Sequence, residues 1–291
     1  LTSEERADND KRLKYEDERR AAYESTFVSQ KQAQELGEQL DLDKDGVWDV
    51  ISKARGNSHE IAAFLEEAVP VYGDLALKLL QAVSEKDLTD TTRTVLFDHL
   101  QGSVPFRDFY DDELFVHYIL QPRVSLEVLR PYRSFFQKAF SSEKQKQFRK
   151  SPNLLVEWIE KTIIEVPAGV VRGWPTPQGV FELQVGDTVA KQILFVAVAR
   201  SFGIPARLSP VDGKPQYYIG QNWIDAVLTG EDDKSDRPFA TGTIRLHKSA
   251  DYSGKVQYYQ NFTLARMEDN ELRTLRFRGL DEEKFDEENF S

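Results

Sequence analysis

The chain has 291 residues, 40% of them hydrophobic, with no cysteine and a formal charge of -11. That length suits two or more domains better than one. The charge argues against nucleic acid or an anionic membrane as main partner, and the lack of cysteine removes disulfides, thiolate metal sites and thiol nucleophiles together.

Residues 2 to about 39 are rich in Glu, Lys, Arg and Ala with thinly spaced aromatics, the pattern of an exposed helix or helix pair. Polar and charged first residues without an initiator Met suggest a mature or trimmed protein whose targeting segment is gone. The segment Asp41-Leu42-Asp43-Lys44-Asp45-Gly46-Val47-Trp48-Asp49 has carboxylates at positions 1, 3, 5 and 9 and glycine at 6 of a calcium loop. Ser52 stands at position 12, where a bidentate acid should close the shell, so a solvated turn is the preferred reading. Calcium is the one cofactor candidate. The four histidines show no paired spacing that would suit zinc.

Asn57 and Glu60 have the spacing of a capping box and open a helix through Leu65. Helical patterning returns at 73–83, 88–99 and 112–120, and Ser151-Pro152 sets an N-cap and first-turn proline before Leu154, Leu155, Trp158 and Ile159. Residues 1–149 therefore read as a mainly α-helical region. The charge runs Asp111-Asp112-Glu113 and Asp281-Glu282-Glu283 read as exposed faces. From Val166 to Gly179 prolines and glycines crowd together and mark a boundary. No stretch reaches the length of a membrane span, the longest apolar run being Ile193 to Val198.

Asp187 is a suitable N-cap and Gly203 a suitable C′ residue for a four-turn helix between them, apolar in nearly every direction and therefore buried. A hairpin follows, with Gln216-Tyr217-Tyr218-Ile219, a turn at Gly220-Gln221-Asn222, and Trp223-Ile224-Asp225-Ala226-Val227. The hydrophilic stretch 229–238 ends this unit, and 243–246, 256–267 and 272–277 read as strands, with Asp269-Asn270 as a turn. Residues 281–289 read as an acidic tail, or as the cut end of a larger protein.

The run from Leu194 to Arg207, closing on Gly203-Ile204-Pro205-Ala206-Arg207, together with the helix-then-hairpin order, resembles the core of the transglutaminase-like superfamily, which has a papain-like fold. Family resemblance implies a nucleophilic cysteine at the helix start, with a histidine and then an aspartate brought to it by the following strands. A helix N-terminus lowers a thiol pKa, which gives that layout its chemical sense. Here the nucleophile position falls on Thr188, preceded by Asp187, and the histidine position falls near Asp212 to Gln216, where there is none. Asp225 stands near the third position.

Further segments, among them Arg55-Gly56-Asn57, Asp98-His99-Leu100, Pro122-Arg123-Val124 and Pro131-Tyr132-Arg133, resemble exported transglutaminase-domain proteins of Bacteroides-type bacteria. The resemblance implies an extracytoplasmic, periplasmic or cell-surface protein.

The expected fold is α+β: helical residues 1–149, a degenerate transglutaminase-like core at 150–230, and a C-terminal antiparallel β segment at 238–291. The expected function is non-catalytic binding or scaffolding, with a peptide, protein or glycan held by Trp174, Tyr217 and Trp223, helped by Tyr218, Tyr258 and Tyr259. Core packing is the commoner fate of such aromatics. One alternative is a hydrolase or acyltransferase using Thr188, with Asp187 as general base; the other is a calcium-dependent interaction module.

Overall fold

The computed structural model describes residues 2–167, 176–228, 254–258, 260–268 and 271–274. The fold is mostly helical with a small three-stranded antiparallel sheet, α+β in the broad sense. In chain order the helices are α1 (Ser3–Glu24), α2 (Gln30–Gln39), α3 (Lys44–Ala54), α4 (Ser58–Tyr72), α5 (Leu75–Ala82), α6 (Glu85–Leu88), α7 (Arg93–Ser103) and α8 (Asp112–Phe115). A π-helical turn, Val116–Leu120, continues α8. Then come α9 (Arg133–Ala139), α10 (Ser142–Lys150), α11 (Asn153–Thr162), β1 (Ile164–Glu165), α12 (Pro177–Leu183), β2 (Val185–Gly186) and α13 (Thr188–Ser201). Strands β3 (Ala206–Leu208), β4 (Pro215–Ile219) and β5 (Asn222–Asp225) follow, then β6 (Ala265–Glu268) and β7 (Glu271–Thr274).

The polar opening pattern produces two helices, each begun by a capping box, Thr2 with Glu5 and Ser29 with Gln32. Helix α1 buries nothing, as its all-round polarity requires. The box expected at Asn57 does not form. A 3-10 turn, Arg55–Asn57, runs straight into α4, so Asn57 has no capping geometry and donates to the Leu88 and Thr91 carbonyls at 2.8 Å. Glu60 accepts from the Arg93 backbone N–H and guanidinium instead. Both side chains tie α4 to the start of α7.

Buried side chains fall into two clusters, one from Val28 to Leu120 and one from Tyr132 to Leu228. Phe136 of α9, Phe140 just after it and Phe148 of α10, all before the sequence boundary at 149, belong to the second cluster. Phe140 sits at its centre, with the Phe148, Trp158, Phe181 and Phe202 rings 4.9 to 5.6 Å away in edge-on arrangements.

Helix α13 is the axis of this cluster. Asp187 caps it by accepting from the Ala190 N–H at 2.8 Å, and Gly203 leaves it at φ +73, both as the sequence predicts. A Cβ on Gly203 would lie 2.3 Å from the Phe106 ring, so this glycine also permits a close approach of the two clusters.

The seam between the clusters is polar. Arg133 is completely buried and donates to the Arg200, Ile119 and Leu120 carbonyls and to His99 Nδ1. Arginine only donates, so His99 Nδ1 is the acceptor and Nε2 carries the proton that it gives to the Arg130 carbonyl, 3.0 Å away. Arg200, also buried, donates to the Ala206, Gln121 and Arg123 carbonyls.

The three-stranded sheet has the order β3-β4-β5 and covers one flank of α13. Gly220 and Gln221 form the two-residue loop between β4 and β5, with φ of +58 and +69, and Asn222 already pairs with Ile219. Strands β6 and β7 pair from Ala265–Thr274 to Glu268–Glu271, and the turn expected at 269–270 lies outside the described residues. The expected strand at 243–246, the hydrophilic break at 229–238 and the 281–289 tail lie outside the described residues.

Candidate functional site

The N-terminus of α13, where the resemblance puts a nucleophile, is built on a two-residue parallel pairing of β1 with β2. That pairing carries Glu165 to the first turn of the helix. Thr188 Oγ1 donates to Glu165 Oε1 at 2.9 Å, and Lys191 Nζ lies 3.0 Å from Glu165 Oε2 and 2.6 Å from Glu160 Oε1. The lysine side chain is only 2% exposed, whereas both glutamates reach solvent. Hydrogen bonds from Lys191 and then Thr188 hold the Glu165 carboxyl below its usual range. A depression of about 360 Å³ opens beside this group, lined by Glu165, Val166, Pro167, Asp187, Thr188 and Val189.

Asp187 is engaged as the helix cap and not as a base for Thr188. Asp212 belongs to the β3–β4 turn, accepting from the Lys214 N–H at 3.2 Å and lying 3.7 Å from its ammonium. Asp225 accepts from Gln216 Nε2 at 2.8 Å. Neither is bonded to Thr188 among the described residues. The three converging side chains that the resemblance implies are not brought together among the described residues; a Thr–Glu–Lys–Glu cluster stands at the start of α13.

Among the described residues the expected aromatics do not all share one surface. Tyr217 is buried against Phe195, its hydroxyl 3.0 Å from Asn153 Oδ1. Tyr258 is buried within its own loop, where its hydroxyl meets the Leu264 backbone. Trp174 and Tyr259 lie outside the described residues. Trp223 and Tyr218 lie on the outer face of the sheet, in a group of a different kind. The Arg207 guanidinium stacks 4.1 Å from the Trp223 ring centre, while the Tyr118 and Tyr218 rings approach the same indole at 4.7 and 5.3 Å. The π-helical turn supplies Tyr118, and π turns often accompany functional positions.

The acidic loop after α2 folds as a helix start. Asp43 is the N-cap of α3, its two oxygens accepting from the Asp45 and Gly46 N–H groups. Asp45 and Asp49 lie within α3, where Asp49 pairs with Lys53 at 2.6 Å, and Asp41 precedes it in a left-handed conformation. The helix begins at the fourth position of the calcium pattern, so the carboxylates are spread along it. Among the described residues no group of three His, Asp or Glu is placed to hold a metal ion. His59 meets the Thr26 carbonyl, His117 is exposed, and His247 lies outside the described residues.

Sequence reasoning missed Glu160, Glu165 and Lys191, and it treated Arg207 only as part of a motif. The lysine carried a signal, a charge set in a helix that is apolar all round. Glu165 carried none, because its partner is 23 residues away. Comparisons with models of known families, with curated proteins and with solved structures found no match to this chain.

Proposed function

We propose that this chain is a non-catalytic, extracytoplasmic binding or scaffolding module with a degenerate transglutaminase-like core. The observation that carries the reading is the state of the Thr188 position. A hydroxyl needs a strong, free base to become a nucleophile at neutral pH. Among the described residues the group in reach is Glu165, whose basicity is lowered by the Lys191 ammonium, and the hydroxyl hydrogen is already committed to it. Such a cluster fastens β1 and α11 to α13. Export is part of the proposal and rests on the resemblance of the sequence to exported proteins. No helix among the described residues is long and apolar enough to cross a membrane.

The test is a turnover assay on the purified chain with a labelled glutaminyl peptide, with and without an amine donor. We expect no release or cross-linking above background, and no change in Thr188→Ala or Glu165→Gln. Turnover by the wild type that disappears in both variants overturns the reading. That outcome would support the second reading, a hydrolase or acyltransferase with Thr188 as nucleophile. What favours it is the 2.9 Å contact between Thr188 and a carboxylate beside an open depression.

A further inference from the structure

A cavity of about 280 Å³ opens between the end of α1 and helix α3. Its walls are apolar, formed by the buried Val28 and Ile51 and the half-buried Phe27 and Trp48. Its mouth carries one acid and one base, Glu24 and Arg55, both exposed. Arg55 is paired with Glu85, and Glu24 with no cation among the described residues. Ser25, Ser29 and Ser52 line the same space, and each has committed its hydroxyl hydrogen, to the Ala22 carbonyl, Gln32 Oε1 and the Asp49 carbonyl. Their oxygens are left as acceptors, which together with the Glu24 carboxylate suit an ammonium group.

Arg55 holds its place at a backbone cost. It ends α3 at φ 51 and ψ -120, a conformation open to glycine but strained for any residue with a Cβ. At the matching position after α4 the chain has Gly73, at φ 60 and ψ -145. After α3 the glycine comes one residue later, at Gly56, where a Cβ would lie 2.3 Å from the Tyr23 hydroxyl at the end of α1. The ion pair that Arg55 makes with Glu85 is 3.3 Å long, with the side chains 70% and 57% exposed, and so open a pair stabilises less than such strain costs. An arginine where glycine would be easier therefore points to a use for its side chain, and the cavity that it borders supplies one.

We propose that this cavity binds a free α-amino acid with a large apolar side chain. The apolar walls take the side chain, Glu24 and the serine oxygens take the ammonium, and the Arg55 guanidinium leaves Glu85 to meet the carboxylate with two parallel hydrogen bonds. The volume lies at the small end of ligand pockets and admits one such molecule, not a chain of sugars. The walls belong to the first cluster, so the proposal does not depend on the state of Thr188.

Isothermal titration calorimetry of the intact chain with L-phenylalanine, phenethylamine and 3-phenylpropionate tests it. We expect saturable binding of L-phenylalanine, about tenfold weaker binding of phenethylamine, which lacks the carboxylate, and a similar loss for 3-phenylpropionate, which lacks the amine. Arg55→Gly should bind L-phenylalanine no better than phenethylamine, while its thermal midpoint holds or rises because glycine takes that backbone without strain. Glu24→Gln should weaken L-phenylalanine about tenfold and leave 3-phenylpropionate unchanged. Glu85→Gln removes the competing carboxylate and should tighten L-phenylalanine about twofold. Absence of saturable binding by the wild type, or equal affinity for the three compounds, overturns the site. Phenethylamine or 3-phenylpropionate bound as tightly as L-phenylalanine overturns the amino-acid class in favour of an amine or a carboxylic acid. A thermal midpoint that drops in Arg55→Gly while L-phenylalanine binding is kept marks Arg55 as a structural tie and overturns its role in recognition.

Discussion

Lys191 shows how one side chain can decide what a position does. Its ammonium is buried and would be costly to leave uncompensated, so it needs Glu160 and Glu165, both of which keep contact with water. This asymmetry predicts unequal effects. Glu165→Gln alone should cost less than about 1 kcal/mol, because Glu160 remains as counter-ion. The double variant Glu160→Gln with Glu165→Gln strands the ammonium and should cost about 3 kcal/mol, well beyond the sum of the single changes. Urea unfolding of the four proteins in the cycle measures the difference, and additive single effects would show that Lys191 does not depend on the pair. Of this site the sequence made legible the Thr188 position and a lysine set in an apolar helix, but neither glutamate nor the pairing. Nothing local connects Glu165 with Thr188 and Lys191 until β1 and β2 align.

At the scale of elements, α7 and α9 meet through His99 and Arg133. Burial, and next the nearby Arg133 charge, push the imidazole pKa well below the ordinary 6.5. A depressed pKa means that the unfolded chain binds the proton more readily than the folded one. The His99 contribution is therefore complete above about pH 7 and is lost as pH falls below 6.5 toward the folded value. The groups around the ring are Arg133, Arg200, Tyr132 and the Asp98 carboxylate, which accepts from the Arg133 and Ser134 N–H groups at the start of α9. His99→Gln keeps an acceptor for Arg133 and a donor for Arg130 but does not titrate. Between pH 6.5 and 5 its unfolding free energy should fall less steeply than the wild type's, by up to about 1.4 kcal/mol per pH unit. Parallel slopes in chemical denaturation would exclude His99 as the titrating group.

Across the whole molecule, the seam between the two clusters determines whether the chain unfolds as one unit. The Ile119 and Leu120 carbonyls come from the first cluster's side and the Arg200 carbonyl from the second, and Arg133 serves all three. Burial lowers the pKa of Arg200 to about 10, so it stays charged at neutral pH and, like Arg133, is neutralised by carbonyl dipoles and not by an acid. Arg133→Met fills similar space but leaves those carbonyls without a donor, at about 1 to 3 kcal/mol for each that water cannot reach. We expect a loss of about 3 kcal/mol or more and a split in the thermal transition, as tryptophan fluorescence and far-ultraviolet dichroism cease to coincide. A single coincident transition at the wild-type midpoint would mean that Arg133 does not couple the clusters.

The sequence by itself determined the features governed by local chemistry. Asp187 and Gly203 bound the central helix because a carboxylate satisfies free N–H groups at one end and a residue without a Cβ takes positive φ at the other. The apolar residues all round α13 fixed its burial, and the lack of cysteine excluded thiol chemistry. The calcium pattern and the Asn57 box were legible as spacings, but those carboxylates and that amide found other partners once α3 and α4 had formed. Tertiary structure alone decided the Glu160–Lys191–Glu165 clamp, the carbonyl cages of Arg133 and Arg200, and the stacking of Arg207 on Trp223. Each joins groups from separate elements, and for the buried Lys191, Arg133 and Arg200 the energy that selects the contacts is the cost of burying a charge, which exists only after the chain has closed around it.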